Sequence, residues 1–244
     1  MPPEIELEIE KKFTVPQPQN LTTARDLFLS MSDSGTPERA RQYHSVLRYF
    51  DTHDGALQAA GVTLRTVDAA PPHFGAYVEI KKTLKSDKDG MTRMEYNFPV
   101  EKNGPDLSVI TDPVAQNLLA PLQGRMPDDS FQTDYDREEI RAAFTVNDKR
   151  IVVELSLDDV YYKKGEKTLR HDYEVEIEPK TKYSDPTITA KDIRDVMQHI
   201  EAVLMSNIKG MAVNPHDRAQ TGFALLRATP AHHTHTPHNK KPNP

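Results

Sequence analysis

Glu8, Glu10 and Lys12 alternate in the run Glu8-Ile9-Glu10-Lys11-Lys12-Phe13. Side chains two apart on a β-strand share a face. A strand here sends two carboxylates and an ammonium one way and Leu7, Ile9 and Phe13 mainly the other. Paired carboxylates hold hard cations such as Mg²⁺, and a lysine ammonium holds anions such as phosphate. An ordinary solvated strand face has the same spacing, so the run alone leaves both readings open. If the charged face turns inward, the strand belongs to a closed barrel whose apolar outside is covered by helices.

A second run repeats the pattern near the other end of the chain. In Tyr173-Glu174-Val175-Glu176-Ile177-Glu178 the three carboxylates share one face, with Tyr173, Val175 and Ile177 on the other. Such a stack repels itself unless cations or cationic side chains intervene. An exposed edge strand kept soluble by its charges is the alternative. Further alternating segments add Glu154 and Asp158, Arg93 with Glu95 and Asn97, and Glu79 with Lys81. Arg65, Arg137, Arg141 and Arg218 complete the inventory. Carboxylates and guanidinium forks together suit a metal–polyphosphate complex, the acids holding metal and the arginines gripping phosphoryl oxygens bidentately.

The elements that must position these groups follow from periodicity. Period-two alternation predicts strands over roughly residues 4–14, 43–51, 61–67, 75–84, 91–100, 131–145, 149–158 and 170–179. About eight strands along one chain suit a single antiparallel barrel with helices outside, an α+β class. Helices are predicted over 21–31 after Asn20 as a cap, over 54–60 and over 106–122, the last interrupted by Pro113. The clearest is 189–208, with Ile193, Val196, Met197, Ile200, Val203 and Leu204 on one face and Gly210 as its stop. Asp51 either lines the tunnel mouth or caps the 54–60 turn. Residues 1–228 are expected to form one domain, followed by a disordered His/Pro-rich tail over 229–244.

Composition narrows the function. The 244 residues carry a formal charge of −6, which argues against a general nucleic-acid binder. There is no Cys, which excludes disulfides, zinc–thiolate sites and thiol nucleophiles. No apolar run approaches a membrane span and no signal-peptide core precedes the first strand. A soluble cytoplasmic protein with no membrane partner is expected.

The motifs in order resemble the CYTH domain of the triphosphate tunnel metalloenzymes. They are the Glu8-x-Glu10-x-Lys12 run, Tyr49-Phe50-Asp51-Thr52 with Gly61-Val62-Thr63-Leu64-Arg65, the Arg93-x-Glu95 strand, the Glu154-x-x-x-Asp158 strand and the acidic strand Glu174–Glu178. The resemblance spans about residues 4–226. It implies an eight-stranded antiparallel tunnel that takes a triphosphate-bearing substrate with Mg²⁺ or Mn²⁺. Carried over, Glu8, Glu10 and Glu176 or Glu178 would hold one metal. Glu95, Asp158 and the remaining last-strand Glu, with Glu174 in the same stack, would serve a second. Arg65, Lys81, Arg93, Arg137 and Arg218 would grip phosphates. Lys12 would lie close to substrate and attacking water, with Glu95 and Asp158 as its catalytic companions. Two positions depart from the pattern: Val67 stands where a second strand arginine is usual, and Thr221 where a late arginine is usual.

The expected activity is metal-dependent hydrolysis of inorganic triphosphate or another linear triphosphate. Cyclisation of ATP, hydrolysis of thiamine triphosphate or of an RNA 5′-triphosphate, and non-catalytic polyphosphate binding are the alternatives on the same fold. The expected partner is a small triphosphate compound, such as tripolyphosphate, a nucleoside triphosphate or thiamine triphosphate. Nucleic acid is expected only as an RNA 5′ end, and the chain as a monomer or homodimer.

Overall fold

The computed structural model describes residues 6–69, 76–87, 90–100 and 105–228. The expected tail over 229–244 and the side chain of Glu8 lie outside the described set. Eight strands close a barrel: β1 (Glu6–Val15), β2 (Arg39–Asp51), β3 (Val62–Ala69), β4 (Tyr77–Asp87), β5 (Gly90–Pro99), β6 (Asp128–Val146), β7 (Lys149–Lys164) and β8 (Lys167–Pro179). Their order is β5-β4-β3-β2-β6-β7-β8-β1, and β1 pairs with β5 to complete the ring. Every pairing is antiparallel. Closure leaves the eight without a free edge. A two-residue strand, β9 (Ala212–Val213), adds to β1 outside the ring.

Five helices among the described residues flank the barrel: α1 (Gln19–Met31), α2 (Ala56–Ala59), α3 (Pro113–Leu118), α4 (Ala190–Asn207) and α5 (Arg218–Ala228). Phe28 of α1 and Val196, Met197, Ile200 and Leu204 of α4 pack on the outward residues Phe13, Leu155, Leu157, Val175 and Ile177. A second outer cluster joins Leu57 and Ala115 to Leu64, Ile80, Tyr96 and Phe98. The apolar half of each alternating strand therefore faces the helices, and the charged half faces the lumen. Lys11 points outward with the apolar set, its Nζ 2.5 Å from Glu201 Oε2 on α4.

Several expectations shift. The predicted 106–122 helix breaks into two short 3₁₀ turns around α3, because Pro113 and Pro121 each remove a backbone donor. Asn20 is not the cap of α1; it lies inside the helix, which starts after Pro18 without a side-chain cap. The α4 start is closed by a reciprocal Thr189–Asp192 capping box. Asp51 is a cap: its carboxylate accepts from the backbone N–H groups of Thr52, Leu57 and Gln58 at 2.7, 2.9 and 2.9 Å. No helix among the described residues is long and apolar enough to cross a membrane.

Candidate active site

The lumen holds a cavity of about 210 Å³. Its wall carries the cations Lys12, Arg41, Arg65, Lys81, Arg93, Arg137, Lys180 and Arg218. The same wall carries the acids Glu10, Glu79, Glu95, Glu139, Glu154, Glu176, Glu178 and Asp217. Among the described residues, eight of each make the lining formally neutral. So a polyanion of three or four charges finds donors here but no net opposite charge, and a co-bound cation would supply the balance.

Register explains the juxtaposition. Lys12 stands opposite Glu176, Asp158 opposite both Arg137 and Glu174, Arg65 opposite Glu79, and Lys81 opposite Glu95. Cross-strand partners on one face lie within side-chain reach, and each of these pairs is made except Asp158–Glu174. Lys12 Nζ is 3.2 Å from Glu176 and 3.8 Å from Glu10. Arg65 reaches Glu79 at 2.5 Å, Lys81 reaches Glu95 at 2.7 Å and Arg93 reaches Glu10 at 2.6 Å.

Asp158 and Glu174 answer each other through cations instead. Arg137 clamps Asp158 bidentately, Nε–Oδ1 and Nη2–Oδ2 both at 2.7 Å. Arg218, entering from the first turn of α5, donates to the second Asp158 oxygen and to Glu174 at 2.8 Å. Tyr162 Oη donates to the other Glu174 oxygen at 2.8 Å. Both carboxylates are fully buried and neither lines the cavity. The expectation that these two hold metal is thus redirected: their oxygens anchor Arg137 and Arg218, whose guanidiniums do face the lumen.

Electrostatics follow burial. Burial pulls the Lys12 ammonium down, but Glu10 and Glu176 outweigh it and leave it above the ordinary lysine value. Burial pushes the Glu176 carboxyl up, and Lys12 and Arg137 more than reverse this, holding it well below the carboxylate range. Asp158 behaves alike under Arg137 and Arg218. Burial wins at Glu79, which is raised despite Arg65. Glu10 and Glu176 face one cation: Lys12 Nζ lies 3.8 Å from the first and 3.2 Å from the second. The two acids are already neighboured by cations, Glu10 by Arg93 at 2.6 Å and Glu176 by Arg137 at 3.7 Å. Among the described residues no three acids gather closely enough to hold a metal ion, so a divalent cation here would need a further carboxylate beside Glu10 and Glu176.

One end of the lumen is closed. Leu47, Tyr49, Phe131, Val160 and Tyr162 turn inward there and pack with Ala219 and Phe223 of α5. Tyr49 stacks on Phe131, with ring centroids 4.4 Å apart. Gly222 lets α5 lie against the Phe131 ring, where a Cβ would collide with it. At the other end the side chains of Arg41, Lys180 and Glu178 keep partial exposure.

Of the expected site residues, Glu10, Lys12, Arg65, Lys81, Arg93, Glu95, Arg137, Glu176, Glu178 and Arg218 line this one cavity. The β1 backbone places Glu8 opposite Arg93. Sequence reasoning did not assign Arg41, Glu139, Lys180 and Asp217, which share the wall. Glu139 had a signal, since it alternates with Arg137 and Arg141 on β6. Arg41 and Asp217 had none, because their neighbours carry no clear period.

No family model matches the chain, and no curated protein matches its sequence. Among solved structures it is similar to a candidate adenylyl cyclase from Hippeastrum, described as having a dominant triphosphatase activity. That match has 15% identity and a TM-score of 0.51, over 91% of this chain and 95% of that one. A candidate adenylate cyclase from Bacillus halodurans aligns at 17% identity and a TM-score of 0.51, over 90% of this chain and 98% of that one. Both likenesses cover about nine tenths of the chain and show the fold: the chain has the closed eight-stranded architecture of the triphosphate tunnel proteins.

Proposed function

From a chain with the triphosphate-tunnel fold, we propose a divalent-metal-dependent hydrolase of linear triphosphates, in which water attacks the terminal phosphoryl group inside the lumen. The observation that carries this reading is a cavity wall with eight cations and eight acids, on which Lys12 stands between Glu10 and Glu176. Glu10 and Glu176, with Glu8 and Glu178 from the same strand faces, would hold Mg²⁺ or Mn²⁺. The bound ion would neutralise and polarise phosphoryl oxygens.

The chain's own residues do the rest. Arg137 and Arg218, locked by Asp158 and Glu174, present fixed guanidinium edges to phosphoryl oxygens. Arg65, Lys81 and Arg93 add donors along the wall, each balanced by Glu79, Glu95 or Glu10. Such pre-oriented donors stabilise charge that develops in the transition state without reorganising. Lys12 keeps its proton and holds a phosphoryl oxygen beside the acids. Glu95, paired to Lys81, orients water. Hydrolysis needs no protein nucleophile, which agrees with a chain without Cys.

The test is phosphate release from tripolyphosphate, ATP, thiamine triphosphate and pyrophosphate, with and without Mg²⁺ or Mn²⁺, while cyclic AMP is monitored. Metal-dependent release from a triphosphate supports hydrolysis. Cyclic AMP without phosphate release would replace it with cyclisation.

A further inference from the structure

We propose that Asp217 is a positioning residue: its carboxylate orients the Arg93 guanidinium in the lumen and ties it to the first turn of α5, from which Arg218 enters. The role rests on the triphosphate hydrolysis proposed above and adds to it a residue that acts through another rather than on the substrate.

The two Asp217 oxygens have different partners. Oδ1 accepts from the Gln220 N–H at 2.8 Å, while Gln220 Oε1 accepts from the Asp217 N–H at 3.1 Å. This reciprocal cap starts α5, and the Asp217 carbonyl then accepts from the Thr221 N–H at 3.0 Å. Oδ2 lies 3.5 Å from Arg93 Nη1. The other terminal nitrogen of that guanidinium, Nη2, lies 2.6 Å from Glu10 Oε1. Arg93 is thus held between carboxylates from two elements, β1 and the start of α5. Glu10, Arg93 and Asp217 are all buried, so salt screens these contacts weakly.

The path of the chain brings Asp217 there. β1 pairs with β5 from Glu6 to Glu10. Further along, β9 pairs with β1 at Phe13 and Thr14, and the Asn214 N–H donates to Lys12 O at 2.8 Å. The chain then turns into α5 at the cavity wall, where Asp217 and Arg218 both line the lumen. These neighbours take partners of opposite sign: Asp217 takes Arg93 of β5, and Arg218 takes Asp158 of β7 and Glu174 of β8. A shift of this one turn therefore moves both guanidiniums.

An acid in the wall weakens the binding of a polyanion by charge alone. What Asp217 supplies is orientation. An arginine side chain has many rotamers, and holding it from both edges leaves a donor fixed before charge develops on the phosphoryl oxygens. Such a contribution shows in turnover rather than in affinity.

The experiment uses the full chain. It measures steady-state phosphate release from whichever of the triphosphates above the wild type cleaves fastest, and calorimetric binding of imido-bridged tripolyphosphate with Mg²⁺. Asp217→Asn keeps a capping side chain and removes the charge that faces Arg93. It should melt near wild type, lower kcat about tenfold and bind the imido compound no more weakly than wild type. Gln220→Ala opens the cap from its other side and leaves the Asp217 carboxylate; it should melt earlier and keep kcat within about twofold. In an Arg93→Gln background, Asp217→Asn should change kcat by less than about twofold, because the residue it acts through is gone. An unchanged kcat in Asp217→Asn, an equal kcat loss in Gln220→Ala, weaker binding of the imido compound by Asp217→Asn, or the full loss persisting in the Arg93→Gln background overturns the proposal and leaves Asp217 as a helix cap. If the wild type cleaves none of the triphosphates, the hydrolase reading itself falls, and the role falls with it.

Discussion

Arg137 and Arg218 share the single carboxylate of Asp158, and both guanidiniums lie over the ring of Tyr135, at 5.5 and 4.4 Å from its centroid. Two buried cations this close repel one another. The shared acid, Glu174 and the negative ring face offset that repulsion, so the fork exists only while Asp158 is charged.

Asp158→Asn should therefore lower stability by about 3–5 kcal/mol, the range for breaking a buried pair on one side. Chemical denaturation gives the value. Lys191→Ala, which removes an exposed i,i+4 pair with Asp195, should change it by less than about 0.5 kcal/mol. A loss of similar size in both variants would mean that the buried network contributes nothing special.

Lys11 and Lys12 give opposite outcomes because they point to opposite sides of β1. Lys12→Ala should lower kcat at least about tenfold, roughly 1.4 kcal/mol of barrier, with a smaller effect on substrate affinity. Lys11→Ala loses the Glu201 contact on α4 and should shift melting while leaving kcat near wild type. Steady-state kinetics with a melting curve separates the two, and a catalytic defect in Lys11→Ala alone would reverse the inward assignment.

Metal should act on stability as well as turnover. A ligand that binds only the folded state stabilises it by about 2.7 kcal/mol at a hundredfold excess over Kd. Mg²⁺ should raise the melting temperature, and Glu10→Gln should need more Mg²⁺ for the same rise. Full turnover in excess chelator would refute the metal requirement.

The pH dependence has a definite sign. Glu176 is held well below its ordinary 4.5 when folded, so its contribution is present above about pH 4.5 and is lost as pH falls through the lower folded value. Lys12 is held above its ordinary 10.5, so its contribution is present below that value and is lost as pH rises through the folded one. Stability measured in chelator should fall on both sides, and Glu176→Gln should flatten the acid limb. An unchanged acid limb would remove Glu176 from the account.

Gly222→Ala places a methyl group against the Phe131 ring. Overpacking of this kind costs about 1–3 kcal/mol. Because Arg218 rides on the same helix, kcat/KM for tripolyphosphate should fall too. A variant that melts earlier but keeps full kcat/KM would show that Arg218 holds its place without α5 docking.

Much of the barrel could be read from alternation, because a strand buried outside and charged inside leaves the same period in the chain wherever it occurs. Glu10, Lys12 and Glu176 were legible for that reason. The α5 helix was not: Thr221 and Gly222 in its middle weaken both helix propensity and the apolar stripe. Arg218 was expected to grip phosphate in the tunnel, but that it enters from a helix was not legible. The diversion of Asp158 and Glu174 to arginines was also hidden, since alternation gives the face of a side chain but not which neighbour takes its oxygens. Lys180 lies just past the end of β8, where the period stops.

The apolar plug of Tyr49, Phe131 and Tyr162 makes the lumen a dead end, with consequences for traffic. What enters first leaves last. On the proposed hydrolysis, an inner product would depart only after the outer fragment cleared the same doorway, which would order release and make the outer fragment a competitor for re-entry. A chain blocked at both termini by bulky groups has no end to thread, so a hydrolase of the kind proposed would count as an end-reader, indifferent to phosphoanhydrides that are capped on both sides.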